Sequence, residues 1–408
     1  MAAAAAKRRR RSTDGLTAFP DDVLLEVFFR VGNVKDLFRF AVTCRRWLRR
    51  FTDPAFLRQL CPRHGEGHGG RLLGFFFQQT RFMLPRGKTD KMLTMRTRMA
   101  QHTSVSAPTF LPTPGSPLGT PTTDHRGLTG FVSDDDGAFN YAEPLAARRG
   151  IVLMRLIPRT FDDLKRMTRA TSHFLGLCNP ITGERHVLPP LECPDHGRCD
   201  SFAIITAPDS GDLDGNDAAH WLCIDIDPPC PPRGGDGYLL YKLSAKVGTA
   251  ATSAHTSLTK IPIRGGGSPL LFTGGDDKLS VACVYLLHVT VWTQQQGEEG
   301  GGDTLATWLR TTVIRTPMAG PSPPLCDPYG KCTWLDFNGG SMLVLPESGG
   351  VFVFDLEKKV MEKVMDCLLA QKISSERNPF VPKRSGTCVA YEMDWVEFFV
   401  LQLGGLCT

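Results

Sequence analysis

Outside its first residues the chain has no charge of either sign to spare. Lys7 and Arg8 to Arg11 account for the whole formal charge of +5, so the body that follows sums to zero. A neutral body excludes the usual nucleic-acid binder, in which the basic excess lies on a folded domain. Long apolar runs are also missing. The longest, Leu279 to Trp292, is interrupted by Ser280, His288 and Thr290 and is too short to span a bilayer. The opening alanine run precedes the charges instead of following them, and no apolar segment comes after, so a secretory signal is not expected. Thirteen cysteines, an odd number in such a chain, read as free thiols in a reducing compartment. The expectation is a soluble protein of the nucleus and/or cytoplasm, with no membrane or nucleic-acid partner. The basic stretch Lys7, Arg8, Arg9, Arg10 and Arg11 is either a nuclear-import candidate or a solubilising tail.

Catalytic signatures are equally scarce. There is no G-x-S-x-G elbow, no Walker-type loop, no H-E-x-x-H and no G-x-G-x-x-G opening a helix. Asp134 to Asp136, Asp225 and Asp227 have no identifiable partner and read as solvated or turn residues. Cys178, His186, Cys193, His196, Cys199, Cys223 and Cys230 form the densest group of soft ligands, but it contains no C-x2-C or H-x3-5-H pair. His64 and His68 lie in a glycine-rich stretch that disfavours the helix needed to present them together. No catalytic residue, metal or cofactor is expected; the chain reads as a binder.

What the sequence does contain begins at Leu16. Pro20 suits the first position of a helix, and Asp21 and Asp22 fall at its electropositive end. Val23, Leu24, Val27, Phe28 and Val31 recur at helical spacing, and Gly32 and Asn33 supply the stop. A second helix is expected from about Val34 to Arg50. Its seam is Leu37, Ala41, Cys44, Leu48 and Phe51, widened by Phe40 and Trp47. Asp53-Pro54 reads as cap and first position of a third helix carrying Phe56, Leu57 and Leu60. Three helices this short bury little of their own surface, so the surplus of large apolar side chains implies an interface. Arg45, Arg46, Arg49 and Arg50 would permit a helix-turn-helix DNA reader, but a solvated basic face interleaved with an apolar seam needs no ligand.

Several features of this stretch together resemble the F-box family. They are Leu16, Pro20 with Asp22, the run Val23 to Phe28, Leu37 and Phe40, the tetrad Cys44-Arg45-Arg46-Trp47, and Asp53-Pro54-Ala55-Phe56. Phe19 stands where the family usually has leucine before the proline. The resemblance implies contact with a Skp-type adaptor through Leu16, Pro20, Val23, Leu24, Val27, Phe28 and Trp47, with Leu37, Ala41, Cys44 and Leu48 as the module's own core.

Cys61 to Gly70 reads as a polar linker, and Arg71 to Phe77 as a strand entering a second domain, residues 71–408. Residues from about 85 to 126 are rich in Thr, Ser, Pro and Gly and read as a disordered insertion, with Ser116 and Thr120 before prolines. From Gly150 onward, short apolar runs alternate with Gly, Pro and Asp punctuation. They are 151–157, 173–178, 201–205, 219–226, 238–243, 258–263, 270–273, 279–292, 304–309, 311–315, 332–337, 341–345 and 351–355. Such spacing predicts a mainly antiparallel β domain, propeller or sandwich, although no repeat of fixed length is visible. Leu356 to Ala370 reads as a late helix facing the core. The aromatics of Tyr391 to Phe399 are expected to pack against the β domain.

Leu177-Cys178-Asn179-Pro180-Ile181-Thr182-Gly183, followed by Leu188-Pro189-Pro190, resembles a hairpin of plant F-box-associated domains, which are propeller-like. Tyr238 to Leu243 pairing with Leu258 to Pro262 is similar to that family's blades. Under the plainer reading Asn179 and Thr182 are turn formers. The fold class expected is therefore multidomain: an N-terminal three-helix F-box at 16–60 after a disordered tail at 1–15, then a propeller-like β domain. The resemblance implies a non-catalytic receptor subunit of a Skp-cullin-F-box ubiquitin ligase, partnered by the adaptor, through it by cullin, and by a protein substrate. Two alternatives are a nuclear regulator that uses the F-box without ligase assembly and a carbohydrate-binding or hydrolytic propeller.

Overall fold

A computed structural model describes residues 20–31, 34–60, 72–82, 103–105, 108–113, 139, 142–156, 172–192, 201–206, 219–227, 238–247, 253–261, 268–274, 278–285, 288–295, 307–315, 333–337, 340–345, 350–365 and 386–404. The chain divides into two compact units. One joins the residues up to Gly65 to Trp395–Thr408, and the other is Glu66–Asp394. Among the described residues no helix is long and apolar enough to cross a membrane.

The first unit is helical: α1 (Asp21–Arg30), α2 (Val34–Thr43), α3 (Arg45–Phe51), α4 (Pro54–Leu60) and, from the far end of the chain, α5 (Trp395–Gly404). The single second helix expected from Val34 to Arg50 is thus two. Cys44 is extended (φ −150°, ψ 150°) and separates them. The expected cap before the last N-terminal helix is present, because Asp53 Oδ1 accepts a hydrogen bond from the Ala55 amide at 2.9 Å.

The second unit is built of antiparallel sheets. β1 (Leu72–Phe82) pairs on one side with β22 (Gly386–Glu392) and on the other with β2 (Thr103–Val105) and β3 (Thr109–Pro112). Four meander blades fill the chain between. They are β4 (Glu143–Arg148), β5 (Ile151–Arg155), β7 (Leu175–Cys178) and β8 (Arg185–Val187); β10 (Ser201–Thr206), β11 (Ala219–Asp227), β12 (Tyr238–Val247) and β13 (Ser253–Ile261); β14 (Ser268–Thr273), β15 (Leu279–Val284), β16 (His288–Gln295) and β17 (Thr307–Arg315); and β18 (Thr333–Phe337), β19 (Ser341–Leu345), β20 (Val351–Asp355) and β21 (Val360–Met365). A short ladder joins β6 (Ser172–His173) to β9 (Leu191–Glu192). The first strands of successive blades touch in turn, β4 to β10, β14 and β18, then β22, and β22 returns to β4. The arrangement is propeller-like: four meander blades and a composite sheet of β1, β2, β3 and β22 that closes the ring.

The core lies between sheets. Leu153, Leu175 and Leu177 meet Phe202 and Ile204; Ala203, Leu240 and Ile261 meet Leu271, Leu279 and Val281. Phe272 and Val289 meet Met342 and Phe354, and Phe337, Leu343 and Val353 meet Leu72, Phe75 and Ala390. Each inner strand is covered on both faces, which is why the sequence shows unbroken apolar runs where a half-exposed strand would alternate. The closing sheet meets the first blade through Tyr391, whose hydroxyl donates to the Gly150 carbonyl at 3.1 Å while the Gly150 amide donates to the Glu392 carbonyl at 3.0 Å. Gly74 allows the close approach of β3, since a Cβ there would strike the Leu111 carbonyl oxygen and the Phe110 ring.

Several expectations are corrected. Leu356 to Ala370 does not begin a helix: residues 356–359 are a turn and Val360–Met365 is a strand paired with β20, while residues 366–370 lie outside those described. Asp355 Oδ1 takes the amides of Glu357 at 3.0 Å and Lys358 at 2.8 Å, and Lys359 adopts φ 57°, so the chain reverses before a helix can start. The 85–126 insertion contains two strands, residues 103–105 and 109–112, and Phe110 is buried 4.9 Å from Phe76. The 279–292 run is two strands turning at Tyr285, whereas the described part of 304–309, from Thr307, and 311–315 belong to the single strand β17. Of the C-terminal aromatics, Tyr391 packs in the β unit as expected, but Phe398 and Phe399 pack on the helices.

Burial opposes ionisation of Asp355, but the Lys358 and Glu357 amides and the Lys358 ammonium, 3.1 Å away, outweigh it and hold the carboxyl below its ordinary value. A depressed carboxylate contributes stability above its unfolded pKa and loses it as pH falls through the folded value. Asp355→Asn keeps the amide acceptor, as Asn179 does in the first blade, and is expected to flatten the loss of stability below about pH 4. Urea melts of the β unit at a series of pH values check this. Tyr391→Phe leaves the Gly150 carbonyl without its side-chain donor and should cost about 1–2 kcal/mol in the same melt.

Candidate docking site

The docking candidate is built from α1 upward. Pro20 (φ −57°, ψ 154°) precedes the helix and its carbonyl takes the Leu24 amide at 3.1 Å, with Asp22 exposed in the first turn where the helix dipole favours it. Leu24 and Phe28 point inward, at 5% and 3% exposure, whereas Val23 and Val27 stand outward at 39% and 52%. One turn of helix separates the members of each pair, so the helix carries an inner and an outer apolar row. On the polar side Arg30 bonds Glu26 at 2.8 Å, an exposed i,i+4 pair.

Phe28 is the hub of the inner row. Its ring lies 5.0 Å from Phe51, 5.5 Å from Trp47, and 6.4 Å from both Phe40 and Phe56, mostly edge to face. Trp47 in turn meets Phe40 edge-on at 6.0 Å. Trp47 is half-buried, and Phe40 and Val42 remain exposed at 38% and 48%.

The site residues expected from sequence therefore divide. Val23, Val27 and Pro20 are exposed and available to a partner, and Trp47 is partly so. Leu24 and Phe28, expected in the same contact set, are buried within the unit. Leu16 lies outside the described residues. Of the expected core, Leu37 and Ala41 are buried and Leu48 is half-buried. Cys44 is exposed, because the break between α2 and α3 turns it out of the seam. Thr43 Oγ1 donates to the Phe40 carbonyl at 2.7 Å at this break. Phe40, one of the large apolar side chains the sequence shows in surplus, is exposed here; Val42, which the sequence pattern does not single out, is exposed as well.

Among the described residues outside this module, the cysteines do not invite chemistry. Burial pushes the Cys178 and Cys283 thiols up to about 12, and Cys388 still further, so all three are neutral and poor nucleophiles or ligands. Cys193, His196, Cys199 and Cys230 lie outside the described residues, as do Lys7 to Arg11 and Asp134 to Asp136. Asn179 is a turn former: its Oδ1 accepts the amides of Ile181 at 3.0 Å and Thr182 at 3.2 Å, and Gly183 follows at φ 82°. Asp355 and Lys359 repeat this geometry at the same third-to-fourth-strand hairpin of the last blade. On the outer strands, Val187, Leu309 and Val360 are each more than half exposed. Around Val360 stand Lys359, Glu362 and Lys363, the charges that keep an edge strand from pairing with another chain.

No curated protein and no solved structure matches the chain. Residues 16–63 match the F-box-like family, and the helical N-terminus of the chain is an F-box-like domain.

Proposed function

We propose that the protein is a substrate-receptor subunit of a Skp-cullin-F-box ubiquitin ligase, of the plant type that joins an F-box to a propeller-like F-box-associated domain. The observation that carries this reading is the outer apolar row of α1, Val23 and Val27, standing exposed on a segment that matches the F-box-like family. A row of this kind on a small helical module suits a second polypeptide. The adaptor docks there, cullin follows through the adaptor, and the β unit holds a target protein. The Asn179 hairpin, with its Asx turn and left-handed Gly183, supports the F-box-associated comparison.

The receptor supplies no catalytic group. Its contribution is proximity, which raises the effective concentration of target beside the charged enzyme to the order of millimolar. The basic stretch Lys7 to Arg11 fits import into the nucleus, one of the two compartments in which such a receptor would act.

The test is adaptor capture by the full chain. Val23→Asp with Val27→Asp places two charges on the outer row without disturbing the core, and is expected to weaken capture by at least about 100-fold while the helical content is kept. Leu24→Asp would abolish capture by unfolding the module, so it serves as the contrasting control. Undiminished capture by the Val23/Val27 variant would overturn the reading. Absence of cullin from the complex would instead favour a regulator that holds the adaptor without ligase assembly.

A further inference from the structure

The segment that matches the F-box-like family ends at residue 63, yet the apolar core of its unit does not. α5, WVEFFVLQLG, has only two polar side chains, Glu397 and Gln402, in ten residues, a composition that calls for cover on more than one narrow face. Its Phe398, Phe399 and Leu403 are buried, at 4%, 1% and 0% exposure. Phe399 stacks on Phe51 at 5.3 Å with 28° between the rings and lies 6.1 Å from Phe38, while Phe398 lies 5.9 Å from Phe38. Helix α5 touches α2, α3 and α4. Phe51 is fully buried beneath Phe399 and presses on its other neighbours, Phe28 at 5.0 Å and Phe56 at 5.7 Å.

We propose that α5 is an obligatory fifth helix of the docking module, so that docking through the outer row of α1 depends on residues more than 330 positions away along the chain. The proposal rests on the docking role given above. Helix α5 acts as a positioning element and does not itself meet the adaptor. It covers Phe51 and Phe38, Phe51 supports Phe28, and Phe28 sets the inner row of α1 and hence the direction in which Val23 and Val27 stand. Four helices of seven to ten residues cannot enclose this many phenylalanines by themselves. Only Met393 and Asp394 separate α5 from β22, the ring-closing strand of the other unit. Docking competence is therefore tied to completion of the chain: a product that stops before residue 395 carries the whole family-matching segment and still lacks part of its core.

Amide hydrogen exchange and adaptor capture on the full chain and on a chain ending at Asp394 test this. In the shortened chain the α2, α3 and α4 amides are expected to exchange at least about 100-fold faster, the β10 to β21 amides to keep their protection, and capture to fail. Phe399→Ala in the full chain should move the same amides by at least about tenfold and weaken capture in proportion. Unchanged protection of α2 to α4 in the shortened chain would overturn the proposal. So would loss of capture with that protection intact, which would make α5 a contact surface. If the full chain captures no adaptor but the shortened chain loses protection, the docking role fails and the role of α5 in the module's core stands.

Discussion

The pairing of β1 with β22 is the constraint on which the β unit depends. It runs from Leu72 opposite Glu392 to Gln79 opposite Gly386, and joins strands more than 300 residues apart in sequence. A meander blade alone is a small sheet with an apolar face on each side, and neither face is covered until a neighbour lies against it. Setting four blades in a row leaves two bare faces at the ends. The composite sheet covers both: Phe75 and Ala390 pack on the last blade, while Tyr391 reaches the first through Gly150. Phe76, Phe110 and Tyr391 fill its interior with ring contacts of 4.9 to 5.9 Å. A ring of blades also gathers the first strand of each sheet toward its neighbours, which protects those inner edges from pairing with other chains.

The helical unit obeys the same logic on a smaller scale. Its α1 has two apolar rows with different fates, one buried and one exposed, and that division needs something solid behind the inner row. A cluster of seven phenylalanines and Trp47 supplies it, with Phe28 and Phe51 at its centre and α5 contributing two of the rings. Both units are thus completed by segments from the end of the chain. In each, residues distant in sequence turn a marginal element into a stable one, because apolar area buried between elements is the dominant favourable term.

Much of the local structure was legible in the residues. The acidic pair in the first turn of α1, the Asp53-Pro54 cap, the Asn179 turn and most of the strands in 150–355 stand where residue chemistry puts them, whereas Pro20, expected at the first position of the helix, is the residue before it. The pairing of Tyr238 to Leu243 with Leu258 to Ile261 is also present, with Tyr241 opposite Leu258. The failures share a cause. Leu356 to Met365 has apolar residues at spacings that satisfy a helix and a strand alike, and only the capture of two amides by the Asp355 carboxylate selects the hairpin. Cys44 looked like a seam residue because nothing in its neighbours announces the extended conformation that breaks the helix there. The repeat linking Asn179 and Asp355 stayed hidden because one turn uses Asn with Gly183 and the other Asp with Lys359, different residues for one backbone shape.

Residue chemistry alone set the class of each segment: short helices with more apolar surface than they can bury, then many strands with turns between, a neutral body and no catalytic signature. Those properties are local, set by side-chain chemistry and spacing within a few residues. It took the folded chain to show that the ring closes through strands from both ends of the β unit, that the last helix belongs with the first four, and that Val23 and Val27 face outward while Leu24 and Phe28 do not. Each of these is a choice of partner for an apolar face, and an apolar face carries no address. The hydrophobic effect is non-directional, so what covers it is settled by shape and chain connectivity together, which no single stretch contains.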